Sequence, residues 1–425
     1  MDEKIIIRAD SPAYGGLAIG RREGKVVLIK GAIPGETVEA VVELEKKDYC
    51  ITSAVEILEP SPDRVEPGCG SNCGGCQLQY VAYGRQVRLK EEVLKETLRR
   101  TAKLDVDLAE PLTGEPWHYR RRGQFKVSRG RVGLFKEKSH DVIDMTSCPL
   151  MTPEVNDALA KSRGIVAKTE AAELHLSHGD DGVAALIKAP GGKTNWEKAA
   201  AALIEAGLVG VWVQAGRRLL KYGRDFIALD LCGLKYTVSP ASFFQSNWGL
   251  NRRLAALVVD GLGPLDGKRV LDLYSGAGNF SLPISAQAAE VVAVEENPFA
   301  VQDGKRNLQL NGIGNCSFVR SGTDGYRPDG RFDIIIADPP RTGLSDAAKD
   351  KILAIKPERV AYISCDPATL ARDLKALSGQ YAVASVRLVD FFPQTYHIET
   401  MAILKVKILD SRLRGNDEHS PSFYL

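Results

Sequence analysis

Val270-Leu271-Asp272-Leu273-Tyr274-Ser275-Gly276-Ala277-Gly278-Asn279-Phe280 is an apolar strand running into a Gly-rich turn. In an open α/β sheet such a turn lies at the carboxyl edge, where backbone amides meet nucleotide-like ligands. Glu295 ends the next strand, placing a carboxylate where ribose hydroxyls are held. The turn lacks the third Gly that a dinucleotide pyrophosphate requires, and an acidic strand residue leads into it. A cofactor without a pyrophosphate is therefore expected in preference to NAD; a tight turn with no ligand is the plain alternative.

Downstream, strands read at Arg269–Leu273, up to Glu295, at Phe332–Ala337, Arg359–Ser364, Val383–Val389 and Glu399–Val406. Helices at about Pro298–Leu310 and from Ala368 alternate with them, the pattern of a doubly wound parallel sheet. Upstream, residues 5–60 alternate in short apolar segments broken by Gly15-Gly16, Gly31 and Pro34-Gly35, as in a small β-barrel. Pro60 to Pro67 reads as a linker, and a basic amphipathic helix is expected over Arg85–Lys103. The expected organisation is a barrel over 1–60, a central α+β domain over 61–235 and a Rossmann-like domain over 236–408. The helix at 85–103 is free in this scheme to pack on the last domain, and 409–425 reads as a disordered tail.

Three further strand ends carry reactive side chains. Ile334-Ile335-Ile336-Ala337-Asp338-Pro339-Pro340-Arg341 delivers Asp338 to the same sheet edge and is halted by two prolines. Ala361-Tyr362-Ile363-Ser364-Cys365-Asp366-Pro367 places a thiol one strand further on. A lone Cys is more often a buried structural residue, but at the mouth of a crevice beside Asp338 its anion can act as a nucleophile. Phe392-Pro393-Gln394-Thr395-Tyr396-His397-Ile398-Glu399 brings up a carboxylate, Glu399, as a candidate base, against the ordinary reading of a surface Glu.

With 44% hydrophobic and 26% charged residues over 425 positions, the chain is large enough for two or three packed domains. No apolar run is long enough to span a membrane, and Met1-Asp2-Glu3-Lys4 does not begin as a signal peptide does, so a cytoplasmic enzyme is expected. A net charge of +2 says little about partners in bulk, so local clusters must. Between His118 and Lys138 eight cations (Arg120, Arg121, Arg122, Lys126, Arg129, Arg131, Lys136, Lys138) face one acid, Glu137, with Tyr119, Phe125 and Phe135 among them. Cations with interleaved rings suit looped or single-stranded RNA; a solvated charged hairpin is the alternative.

Cys69, Cys73 and Cys76 fall within eight residues of a Gly-rich loop, and Cys148, followed by proline, is the best fourth partner. Four thiolates suit a tetrahedral zinc or a [4Fe–4S] cluster, and their spacing leaves the two open. Cys50, Cys232 and Cys316 lack partners at ligand spacing and read as core residues.

Taken together, these segments resemble the S-adenosylmethionine-dependent RNA uridine C5 methyltransferases, over nearly the whole chain. The resemblance implies that Cys365 is the nucleophile and Glu399 the base, and that the cofactor contacts are Gln245 (within Phe243-Phe244-Gln245), Tyr274, Asn279, Glu295 and Asp338. Tyr274 stands where phenylalanine is often seen, and a polar contact known in some relatives falls near Gly322, which has no side chain to offer. The implied chemistry accounts for these residue types. C5 of uracil is too weak a nucleophile to take a methyl directly, so a thiolate adds to C6, the resulting enolate attacks the sulfonium methyl, and a base removes the C5 proton so that the thiolate can leave.

The amino-terminal barrel resembles a TRAM domain, and the cluster-bearing branch of the family favours [4Fe–4S] over zinc at cysteines 69, 73, 76 and 148, in a structural role. With both modules the chain resembles the branch acting on ribosomal RNA (23S), which is expected as the partner in preference to transfer RNA; a monomer is expected. The target base must leave its stack to reach Cys365. Methylation of an amino group is argued against by Arg341, where an aromatic would follow Asp-Pro-Pro; a catalytically silent RNA-binding protein is the reading from another class.

Overall fold

Alternate residues of the strand Arg269–Leu273 feed two separate apolar cores. Val270 packs with the helix Trp248–Leu262 on one face of the sheet, and Leu271 and Leu273 pack with helices on the other. A strand buried on both faces is mostly apolar, which is why this run stands out in the sequence, with the buried Asp272 as its exception. The computed structural model describes residues 3–407.

The sheet has eight strands. In spatial order they are Cys316–Arg320, Glu290–Glu295, Arg269–Leu273, Ile334–Ala337, Arg359–Ser364, Glu399–Val406, Tyr381–Val389 and Ala109–Leu112. The first five are parallel, as expected. The expectation of a parallel sheet needs correction beyond them: Glu399–Val406 runs antiparallel to both its neighbours. A short connection of Asp390 to Ile398 cannot carry the chain back for a parallel crossover, so the last two strands form a hairpin. The edge strand Ala109–Leu112 comes from far upstream.

Upstream of that strand, the helix Tyr83–Thr97 and the wider turn Leu98–Ala102 that extends it lay Val87, Val93, Leu94 and Leu98 into the same core as Leu271, Tyr362 and Leu370. Residues 83–112 thus pack with the carboxyl-terminal sheet, although they precede the central domain. The hairpin Ile227–Leu231/Leu234–Val238 also contributes its apolar face there, across the boundary expected at 235.

The barrel is a curled six-stranded sheet in which Ile5, Ile7, Val27, Ile29, Val38 and Ala40 point inward. Its curl brings strands Leu17–Arg22 and Lys4–Arg8 so close that a Cβ at Gly20 would lie 2.4 Å from the Arg8 carbonyl oxygen. Glu36 of the Pro34-Gly35-Glu36 turn is fully buried. It accepts from the backbone N–H of Ile33 (2.8 Å) and Ser61 (3.0 Å), and pairs with Arg64 (2.6 Å) in the linker.

The central domain is a seven-stranded mixed sheet. Helices Pro153–Val166 and Trp196–Glu205 cover one face, around Phe125, Leu174 and Val213. Among the described residues no helix is long and apolar enough to cross a membrane. The tail expected over 409–425 lies outside the described residues.

Candidate active site

At the end of Arg269–Leu273 the backbone turns left-handed at Tyr274 (φ +64°), Gly276 and Gly278. Gly278 has no alternative: with φ +98°, a Cβ there would meet Leu282 at 2.0 Å. The turn exposes the Gly276 N–H, which donates to Glu295 Oε2 (2.9 Å), while Glu295 Oε1 accepts from the Asn297 N–H (2.8 Å). Glu295 is therefore oriented by two backbone bonds before any ligand arrives.

Asn279 is held just as tightly. Its amide exchanges two bonds with the buried amide of Asn251, at 2.7 and 3.0 Å. Asn251 was missed by sequence reasoning; its only signal is a polar residue on the apolar face of the helix Trp248–Leu262.

Cys365 and Glu399 hang from adjacent strands. The antiparallel ladder pairs Ser364 with Thr400, so the next position along brings Cys365 beside Glu399. All seven candidates (Gln245, Tyr274, Asn279, Glu295, Asp338, Cys365 and Glu399) line one cavity of about 530 Å³, with Arg341 and His397 at the same wall. A second cavity shares Tyr274, Glu295, Glu296 and Pro340 with it and continues past Gly322, flanked there by Ser321 and Thr323.

This cavity is rich in carboxyl groups. Burial raises Asp338 to about 7, with Gln245 opposing, and pushes Glu399 well up, with Asp338 adding. Behind the turn, burial likewise raises Asp272 to about 7, and its Oδ1 is sealed without a partner. The Cys365 thiol is pushed up to about 12 by burial first, then by Glu399 and Asp338; Arg341 opposes. Arg341 also meets His397 (Nη2 to Nδ1, 3.2 Å), whose ring burial and neighbouring cations depress to about 4. Arg341 entered the sequence reading only as an argument against another chemistry, yet it is the cation that faces both reactive groups. A site so short of positive charge suits a cationic ligand.

The basic stretch divides. Arg120 turns inward over Phe392 (5.3 Å), Arg121 pairs with Asp180 (2.5 Å), Lys126 with Glu173, and Lys138 with Glu43 (2.9 Å). Tyr119 and Phe125 are buried in the core, so the expectation that both interleave as stacking rings is corrected: they are there to pack. Phe135 is exposed, as are Arg129, Arg131 and Lys136. Arg122 is distinct. Its Nε and Nη1 are buried with no partner, burial lowers it to about 10, and its guanidinium lies 5.6 Å from the Phe243 ring. Phe243 is 62% exposed at the rim of the cavity.

None of the four cysteines expected to hold a metal is in a disulfide. Burial foremost raises Cys76 to about 11, with Cys148 and Cys73 adding, and burial likewise raises Cys148, with Cys73 adding. Cys69 accepts instead from the Ser71 N–H (3.4 Å). Among the described residues no three Cys, His, Asp or Glu side chains stand together as a formed metal shell. The donor chemistry fits a thiolate-bound metal; the present geometry is not a closed ligand set.

Five parallel strands, an antiparallel strand inserted beside the fifth and a cavity at the carboxyl edge define a Rossmann-like methyltransferase fold. The crystal structure of Pyrococcus abyssi tRNA (uracil-54, C5)-methyltransferase, in complex with S-adenosyl-L-homocysteine, shares it with a TM-score of 0.75 at 24% identity, over 94% of this chain and 99% of that one. The tRNA (uracil-5-)-methyltransferase family model matches residues 82–407, and the chain belongs to that family. An RNA methyltransferase of Aquifex aeolicus is 33% identical over 96% of this chain and 99% of its own length. The 23S rRNA (uracil(1939)-C(5))-methyltransferase RlmD of Shewanella amazonensis is 32% identical, over 96% of each.

Proposed function

We propose that this protein transfers a methyl group from S-adenosylmethionine to C5 of a uridine in RNA, with Cys365 as nucleophile and Glu399 as base. One observation carries the reading. Residues drawn from five separate motifs line a single cavity, with the thiol and the carboxyl on neighbouring strand ends.

The cofactor would be held by Glu295, Asn279, Tyr274, Asp338 and Gln245, and would supply a methyl group on a positively charged sulfonium. The surplus of buried carboxyls is the feature that fits such a cation. Beside a positive charge Asp338 and Glu399 ionise more readily, which prepares Glu399 to accept a proton. Cys365 bonds to C6 of the uracil and raises the electron density at C5. Glu399 later removes the C5 proton, and the bond from sulfur to C6 breaks. Phe243, exposed at the cavity rim with the Arg122 guanidinium 5.6 Å from its ring, offers RNA a stacking contact at the cavity mouth.

Ribosomal RNA is favoured as the substrate by full-length similarity to the 23S enzyme, with transfer RNA as the alternative. We assign Cys69, Cys73, Cys76 and Cys148 to a structural [4Fe–4S] cluster, zinc being the alternative; the action of both Cys73 and Cys148 on Cys76 supports bringing the loop thiols together with Cys148. We read the protein as a cytoplasmic monomer; an RNA substrate and cysteines outside any disulfide support the location.

The test uses RNA containing 5-fluorouridine. Fluorine cannot leave as a proton, so a covalent protein–RNA adduct should persist when cofactor is present. Absence of an adduct with both ribosomal and transfer RNA, under conditions where the protein binds cofactor, refutes the reading. Mapping 5-methyluridine in a strain lacking the protein decides between the two RNAs.

A further inference from the structure

Glu399 is reached through residues 390–398, which cross the end of the sheet without regular structure between strands Tyr381–Val389 and Glu399–Val406. A segment of this kind has few bonds of its own, and this one is gripped from four other parts of the chain. The helix Tyr83–Thr97 supplies two of the grips. Lys90 Nζ donates to Asp390 Oδ1 (2.7 Å) and to the Phe392 carbonyl (3.0 Å), with both charged side chains sealed from solvent. Gln86 donates its amide to Gln394 Oε1 (2.9 Å) and accepts the Gln394 N–H on its own Oε1 (2.9 Å).

Gln394 has φ +70°, a left-handed conformation that a non-glycine residue keeps only where its surroundings impose it. Its carbonyl accepts from the backbone N–H groups of both Gln77 and Leu78 (3.0 Å each). From the central domain, the Tyr119 hydroxyl donates to the Pro393 carbonyl (3.0 Å). From the barrel, Tyr14 meets Tyr396 edge to face, with ring centroids 5.5 Å apart.

We propose that Gln86 and Lys90 are positioning residues for the base, fixing residues 390–394 so that the Glu399 carboxyl is in place when the C5 proton must be removed. The proposal rests on the function argued above and goes beyond it. A buried ion pair adds little net stability, and its value here is the single geometry it imposes. Proton removal depends on that geometry. Cys365 is carried differently, at the tip of Arg359–Ser364 and ahead of the helix Pro367–Leu377. Loosening the clasp should therefore slow the last step and leave the thiol's attack intact.

Gln394→Gly keeps the left-handed turn and removes the side-chain amide; Gln86→Leu removes the amide from the other side. Each full-length variant is checked by thermal unfolding and then measured twice: for the rate of covalent trapping on 5-fluorouridine RNA, and for the amount of covalent complex standing on ordinary uridine RNA during turnover. Trapping should stay within about twofold of the unaltered protein while turnover falls about tenfold or more and the uridine complex accumulates. A merely structural role would slow trapping and turnover together, and that result, or unchanged turnover in both variants, overturns the proposal. Failure of the unaltered protein to trap at all is a separate outcome: it removes the proposed function, and with it the step this clasp serves.

Discussion

Cys365 stands next to Glu399, one position past the Ser364–Thr400 pair in the antiparallel ladder. The thiol and the carboxyl are neighbours on different strands, so their roles separate by substitution. Cys365→Ala should abolish the adduct with 5-fluorouridine RNA and lower methylation by about 10⁴-fold or more. Glu399→Gln should still form the adduct, and should hold it even on ordinary uridine RNA, with turnover down about 10²–10⁴-fold. Denaturing gels of labelled RNA distinguish the two.

Asp338 sets up a trade between stability and pH. Burial raises its carboxyl from 3.8 to about 7, so between these values the folded protein holds a proton that the unfolded chain has lost. Stability contributed at this position therefore falls as pH rises through that window, and the cost is fully present above about 7. Asp338→Asn carries no such cost. Denaturant unfolding should show it more stable than the parent at pH 8, on the order of 2–4 kcal/mol, with a smaller gain at pH 5. Cofactor binding should weaken in the same variant.

The same burial sets the pH dependence of the reaction. Burial raises Glu399 well above the ordinary carboxylate range and Cys365 to about 12, so both keep their protons to higher pH than the free side chains do. A base must be ionised and a nucleophile must lose its proton, so kcat/KM should climb as pH rises from about 6 to 9. A profile that falls over this range would contradict the assignment of Glu399.

Asn251 should be needed for cofactor binding without touching the reacting atoms. Asn251→Ala removes both amide bonds to Asn279 and leaves that side chain free to turn. We expect the dissociation constant for S-adenosylhomocysteine, measured by calorimetry, to rise about tenfold. The rate of reaction at saturating cofactor should change little.

Legibility followed the range of the interactions. The strands at Arg269–Leu273, Arg359–Ser364 and Glu399–Val406 could be read because each is a continuous buried run with its own ends. The antiparallel direction of the last strand was within reach, because residues 390–398 are too few for a parallel crossover, but apolar runs alone carry no direction. Asn251 and the Gln86–Gln394 pair left no periodic trace. Gln86 and Gln394 are 308 positions apart, and a buried glutamine looks like any other until its partner is known. The run from Arg120 to Lys138 misled in part for the same reason: Asp180, Glu173 and Glu43, which neutralise three of its cations, lie elsewhere in the sequence.

If the assigned cluster is present, protein purified without oxygen should be brown and carry about four irons per chain. Cys148→Ser should lose the iron and unfold at lower temperature, whatever its residual methylation. Stoichiometric zinc in place of iron would turn the assignment to the alternative metal.

The edge strand Ala109–Leu112 joins, and the helix Tyr83–Thr97 packs on, a sheet whose other strands begin only at Arg269. During translation these segments leave the ribosome long before the surface they cover has been made. The barrel and the central sheet can close as they emerge, but the apolar face of Val87, Val93 and Leu94 must wait for the carboxyl-terminal strands. The last domain to be synthesised is thus completed by residues made near the start, and the whole chain matures in one late, long-range closure.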